Sequence, residues 1–152
     1  MPAYSFKERF VPWVKDGSKS QTIRSRRKKG FAKKGDTLYL YYAMRTKYCK
    51  KLKEATCKKA DTIVISNSGI IIISGRMADF AVGATIDLLK KGISINRIAP
   101  PLTSAERSQL AWADGFRPDG STKKNPKGCF ALMLRWWKQT HELPFVGDII
   151  YW

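Results

Sequence analysis

The clearest pattern along the chain is Thr62-Ile63-Val64-Ile65-Ser66, then Asn67-Ser68-Gly69, then Ile70-Ile71-Ile72-Ile73. Two β-branched runs around a turn tripeptide predict a β-hairpin. Thr37-Leu38-Tyr39-Leu40-Tyr41-Tyr42, introduced by the turn signal Gly35-Asp36, predicts a strand. Its apolar and aromatic side chains fall on both faces, as in the wall of a small barrel or a covered sheet. A short strand is expected at the end of Ser18 to Arg24, and a last one over Phe145 to Trp152, after Pro144.

Helical spacing appears in three places. Phe10, Trp13 and Val14 mark a short helix over Glu8 to Asp16 that Gly17 closes. Proline fits only the first turn of a helix, so Pro12 puts the start of its regular part near Val11. Thr103-Ser104-Ala105-Glu106 has the spacing of a capping box; the helix it opens runs through Ala113, with Gly115 placed to end it. Lys127 to Thr140 is expected as the longest helix, with Phe130, Leu134 and Trp137 on one side. Pro118 to Pro126 is a polar loop. Residues 76–100 are ambiguous: Ala84 to Lys91 suits helix or strand, and Ile93 to Ile98 alternates like a strand. No repeat, linker or low-complexity tract divides the chain, so residues 1–152 are expected to form a single α+β domain.

Composition agrees with one globular domain, at 152 residues with 43% hydrophobic and 27% charged. The apolar stretch Ile70 to Ile73 is far short of a membrane span, and the first residues lack the apolar run of a secretory signal, so the expected location is the cytoplasm. Three cysteines, Cys49, Cys57 and Cys129, lack the paired spacing of a zinc site, and there is one histidine, His141. These counts argue against a structural zinc, a two-histidine acid–base pair and the cage of a zinc deaminase. The thiols are read as reduced packing residues, and no cofactor or metal is expected.

Charge changes the picture most. There are 29 Lys and Arg against 12 Asp and Glu, a net +17. The excess is lopsided: residues 1–59 hold 18 basic and 4 acidic side chains, and the remainder 11 and 8. Such a concentrated cationic surface attracts polyanions, and nucleic acid is the obvious one. No basic amphipathic helix with a large apolar face points to a membrane instead. The loop with Arg24, Arg26, Arg27, Lys28, Lys29, Lys33 and Lys34 and the stretch with Arg45, Lys47, Lys50 and Lys51 are the expected phosphate contacts. Tyr39, Tyr41, Tyr42, Tyr48 and Trp112 are candidate platforms for unpaired bases, with Tyr42 or Tyr48 plus Trp112 expected to reach the ligand. Trp136, Trp137 and Trp152 lie in regular elements and are expected to pack.

Three short elements together resemble a known family. Gly17-Ser18-Lys19-Ser20-Gln21-Thr22-Ile23-Arg24, Lys33-Lys34-Gly35-Asp36 and Ala111-Trp112-Ala113-Asp114-Gly115-Phe116 resemble elements of the ASCH domain, a member of the PUA-like superfamily of small β-barrels. The resemblance implies a barrel of five or six strands with flanking helices. Proteins of this kind include amidohydrolases that deacylate acetylated cytidine and others reported as ribonucleases. The resemblance maps the catalytic lysine, threonine and glutamate of the amidohydrolases onto Lys19, Thr22 and Asp114, an aspartate standing where that family has glutamate.

Residue chemistry is compatible with that trio. A threonine hydroxyl becomes a nucleophile when a base takes its proton, and a lysine with a lowered pKa, near a cation such as Arg24, is one candidate base. Asp114 would then handle protons or a hydrolytic water. The first expectation is an RNA-binding protein, favouring single strands, that cleaves RNA without a metal, with Lys19 or Asp114 promoting attack by the ribose hydroxyl. The alternatives are an amidohydrolase acting on acetylated cytidine and a non-catalytic RNA-binding adaptor. A free nucleoside offers no chain of phosphates to a surface this basic, which favours RNA.

Overall fold

A computed structural model describes residues 2–28, 31–92, 100–118, 120 and 124–152. The fold is α+β, with seven strands among the described residues arranged in two hydrogen-bonded sheets. Strands β1 (Ala3–Phe6), β3 (Thr37–Tyr42) and β4 (Lys50–Thr56) form one sheet in the order β1-β3-β4. Strands β2 (Gln21–Ser25), β5 (Lys59–Ile65), β6 (Ile71–Ser74) and β7 (Phe145–Tyr151) form the other in the order β2-β7-β5-β6. All neighbours are antiparallel except β1 and β3. The strand count exceeds the five or six expected, because β1 and β4 add two strands that hydrophobic patterning left out.

The four-stranded sheet is covered on both faces, which is why its strands are apolar at consecutive positions. On one face Ile23, Ile63, Ile65 and Ile149 pack against α3 (Ser104–Asp114) and α4 (Cys129–Thr140). On the other, Ile150 joins Leu38, Leu40, Tyr4 and Phe6 of the three-stranded sheet, while Val64 and Ile72 meet Leu88 and Leu89 of α2 (Asp79–Lys90). Each step from Ile149 to Ile150 or from Ile63 to Val64 crosses the sheet, as the two-residue strand period requires.

The helices follow their sequence signals. A 3-10 turn, Glu8–Phe10, leads into α1 (Val11–Asp16), with Pro12 in its first turn and Gly17 closing it at φ 83°. Thr103 and Glu106 make the reciprocal capping box at the start of α3, and Gly115 closes it at φ 100°. α4 begins at Cys129, and its buried stripe is Cys129, Met133 and Trp137. It shares its length of 12 residues with α2, which resolves the ambiguity over Ala84 to Lys91 in favour of helix. The strand expected over Ile93 to Ile98 lies outside the described residues, as does part of the Pro118 to Pro126 loop. Among the described residues no helix is long and apolar enough to cross a membrane.

Candidate functional site

The left-handed turn at Gly17 drives the chain back toward the molecule, so Lys19 enters the interior instead of solvent. Its backbone N–H donates to the Trp13 carbonyl at 2.9 Å. Arg117, just beyond α3, clamps the same turn: its guanidinium donates to Ser18 Oγ at 3.0 Å, to the Ser18 carbonyl at 2.9 Å and to the Trp112 carbonyl at 3.2 Å. That guanidinium lies 4.5 Å from the Trp13 ring centroid and 3.9 Å from that of Trp112. Turn and helix end are thus locked together, and Lys19 meets Asp114 across them.

The Lys19 side chain is 2% exposed and Asp114 is 7% exposed. Nζ donates to Asp114 Oδ1 at 3.1 Å and also to the Asp114 backbone carbonyl. The Ile23 backbone N–H adds a bond to the carboxylate. Burial disfavours both charges, pushing Lys19 down to about 8 and Asp114 up, while their mutual attraction opposes each shift. Arg24 and Arg117 lower Lys19 further. Lys19 is therefore a largely protonated acid at neutral pH, within reach of losing its proton.

Lys19 and Asp114 stand in a cleft of about 230 Å³ that Thr22, Arg24, Ser5, Lys7 and the rings of Phe6, Phe10, Phe116, Trp136, Trp137 and His141 also line. Thr22 projects from β2 into it, and Arg24 Nε donates to Thr22 Oγ1 at 3.1 Å. The partner bonded to Thr22 is thus Arg24, whereas Lys19 is bonded to Asp114. Arg24 is also held by the Ser5 carbonyl at 2.7 Å and faces the Phe6 ring at 5.0 Å. Burial pulls the Arg24 pKa down, yet a guanidinium remains charged at any physiological pH.

A basic wall continues from the cleft. Arg24 and Ser25 also line a narrow hollow with Arg27, Phe31 and Arg76, and these last three line a broad groove of about 690 Å³ with Arg26 and Lys28. Arg76 covers the Phe31 ring at 3.3 Å from its centroid. Arg26 is engaged internally, with Asp148 Oδ1 at 3.3 Å, the Met77 carbonyl at 3.0 Å and Thr62 Oγ1, so its role in the groove is to hold the wall's shape. Arg27 and Lys28 are exposed and Arg76 is partly so, on the open side.

The remaining expected residues are dispersed. Lys33 and Lys34 are exposed on the loop before β3, and Lys29 lies outside the described residues. Arg45, Lys47 and Tyr48 sit in the turn between β3 and β4, which is tied to the cleft rim by the bond from Met44 N to Ser5 Oγ at 3.1 Å. Tyr48 is 65% exposed, with Lys47 Nζ over its ring at 5.1 Å. Lys50 and Lys51 begin β4, and Lys51 pairs with Glu54.

One aromatic expectation is corrected and another extended. Trp112 is buried in the core beneath Arg117 and does not line the cleft, because it falls on the inward face of α3. Trp136 packs against the core as expected and also lines the cleft, with Phe116 at 5.5 Å and Lys7 Nζ at 5.8 Å from its ring. Patterning also missed Phe31, Arg76 and His141. A single arginine after a strand and a single histidine after a helix carry no periodic signal.

No family model, curated protein or solved structure matches this chain. The site's chemistry therefore rests on its own geometry. Among the described residues no cluster of His, Cys, Asp and Glu is arranged to hold a metal ion. What the cleft offers is a protonated amine seated on a carboxylate, a hydroxyl held by a guanidinium, and aromatic walls for a planar ring.

Proposed function

We propose that this protein binds single-stranded RNA and cleaves it with side-chain acids and bases, as an ASCH-type domain whose two sheets correspond to a PUA-like barrel, working in the cytoplasm. One observation carries the reading: the buried Lys19–Asp114 pair lies in an aromatic cleft that runs directly into a wall bearing Arg24, Arg27, Lys28 and Arg76. The aromatic walls suit one unstacked base, and the wall beside them suits the phosphates that flank it. A cleft of about 230 Å³ suits one splayed base and so favours a single strand over a duplex.

In this reading Asp114 orients Lys19 and holds it as an ammonium. The Lys19 Nζ–H groups stabilise charge that develops on a phosphate oxygen and protonate the leaving 5′ oxygen. Arg24 fixes the Thr22 hydroxyl against the substrate. A water-poor site strengthens each of these interactions.

A second reading, deacylation of acetylated cytidine, is favoured by the same lysine, threonine and carboxylate in a cleft sized for one base. It gives the basic wall no task. Incubating the protein and a Lys19→Met/Asp114→Leu double variant, which leaves neither charge stranded, with labelled single-stranded RNA, and separately with acetylated cytidine, in chelator at two salt concentrations, separates the readings. RNA cleavage that the variant loses is the expected result. Deacetylation without RNA cleavage selects the amidohydrolase, and salt-sensitive binding without turnover selects the adaptor.

A further inference from the structure

Lys19 supplies a proton donor, but cleavage through the ribose hydroxyl also needs a group that accepts a proton. His141, the one histidine in the sequence, lines the same cleft immediately after α4. Its ring is fixed: it layers on Trp137 with centroids 4.1 Å apart and an interplanar angle of 35°, and Phe145 stands at 5.2 Å. Nδ1 lies 2.9 Å from Thr140 Oγ1.

That contact sets the tautomer. The Thr140 hydroxyl has one hydrogen, which it donates to the Trp136 carbonyl at 2.7 Å. Only its lone pairs remain for His141, so Nδ1 must carry a hydrogen, and in a neutral imidazole Nε2 is then a bare acceptor. The charged groups lining the cleft are Lys7, Lys19, Arg24 and Asp114, and the last is committed to Lys19. Partial burial of the ring disfavours an imidazolium and pulls the His141 pKa down.

We infer that His141 is the proton acceptor of the cleft, its Nε2 taking the proton of the attacking ribose hydroxyl while Lys19 protonates the leaving group. The inference rests on the ribonuclease reading above. The 2′ oxygen gives its proton to Nε2 and forms a bond to the adjacent phosphorus. The bond from phosphorus to the 5′ oxygen breaks, and that oxygen leaves with the electron pair and takes a proton from Lys19 Nζ. The products are a 2′,3′-cyclic phosphate and a 5′ hydroxyl; His141 then loses a proton to water and Lys19 regains one, with no co-reactant. Amine and imidazole form a pair whose environments hold one protonated and the other not, the condition for acid–base chemistry at one pH.

The test uses the full chain, a single-stranded RNA, the same RNA with a deoxyribose at the cleaved position, and a His141→Asn variant whose amide keeps the donor to Thr140. Expected are cleavage of the all-ribose strand only, a loss of at least a hundredfold in the single-turnover rate on saturating RNA in His141→Asn, and imidazole nitrogen NMR signals of the Nδ1–H form. With one histidine, those signals need no assignment, and they test the wild type even where the variant fails to fold. A wild type that leaves RNA intact overturns the ribonuclease reading and this inference with it. Cleavage within threefold of wild type in His141→Asn, cleavage of the deoxy strand, or an Nε2–H ring overturns the inference alone.

Discussion

Lys19 Nζ and Asp114 Oδ1 meet at 3.1 Å although 95 positions separate them in the sequence, with both side chains buried. Their separation in sequence makes the pair a tertiary clamp as well as a chemical unit: it joins the Gly17 turn to the end of α3. Removing one partner strands the other charge in the interior. Asp114→Ala is expected to destabilise the fold by about 3–5 kcal/mol in urea titrations, more than the same change at an exposed aspartate. Replacing both residues by apolar ones of similar volume should recover much of that loss while leaving no activity.

Alkaline pH should separate stability from turnover. Lys19 is pushed down to about 8 in the fold by burial, against the attraction of Asp114, whereas the unfolded chain keeps an ordinary lysine. Between about pH 8 and pH 9 the unfolded state binds the extra proton, so stability rises with pH; above pH 9 the raised Cys57 thiol begins to act the other way. Cleavage that depends on the Lys19 ammonium falls over the same interval. Melting temperature and rate measured across it should therefore move in opposite directions.

The basic wall predicts a salt signature. Each phosphate contact with a single strand adds about 0.7 to the slope of log affinity against log salt. Arg27→Gln with Arg76→Gln should lower the slope by about 1.4, and the loss of the Arg76–Asp148 ion pair at 3.7 Å should lower the melting temperature modestly as well. Changing Arg26 should instead cost stability, because it binds Asp148, Thr62 and Met77.

Gly147 pairs with Ser25 where β2 meets β7, and a Cβ there would stand 2.3 Å from the Arg24 carbonyl oxygen. The obstacle is backbone, so the strands must part. Gly147→Ala should cost about 1–3 kcal/mol and weaken RNA binding by shifting Arg24, as read by unfolding and by affinity.

How far these features could be read in the sequence differs by element. The β5–β6 hairpin, β3, β7 and the capped start of α3 carried strong local signals, and the structure places them within a few residues of expectation. β4 did not, because an edge strand reading Lys-Lys-Leu-Lys-Glu-Ala-Thr shows water most of its side chains. β1 has four residues, too few for alternation to register. At the site, Lys19, Thr22 and Asp114 were singled out by resemblance, since spacing alone says nothing about partners 95 residues apart. Trp112 carries an aromatic signal that says nothing of which face of its helix is buried, and it lies on the buried one. His141 gains its chemistry from Thr140 and Trp136, contacts that exist only after α4 has formed.

The central claim is that a base of single-stranded RNA enters the cleft beside Lys19 while its phosphates lie on the adjoining wall. Photo-crosslinking with RNA carrying one 4-thiouridine, followed by mass spectrometry of the digested protein, tests it most directly. Adducts on Phe6, Phe10 or Trp136, lost when unlabelled single strand competes, are the predicted result. Adducts confined to β4 or α2, with the cleft unmodified, would contradict it.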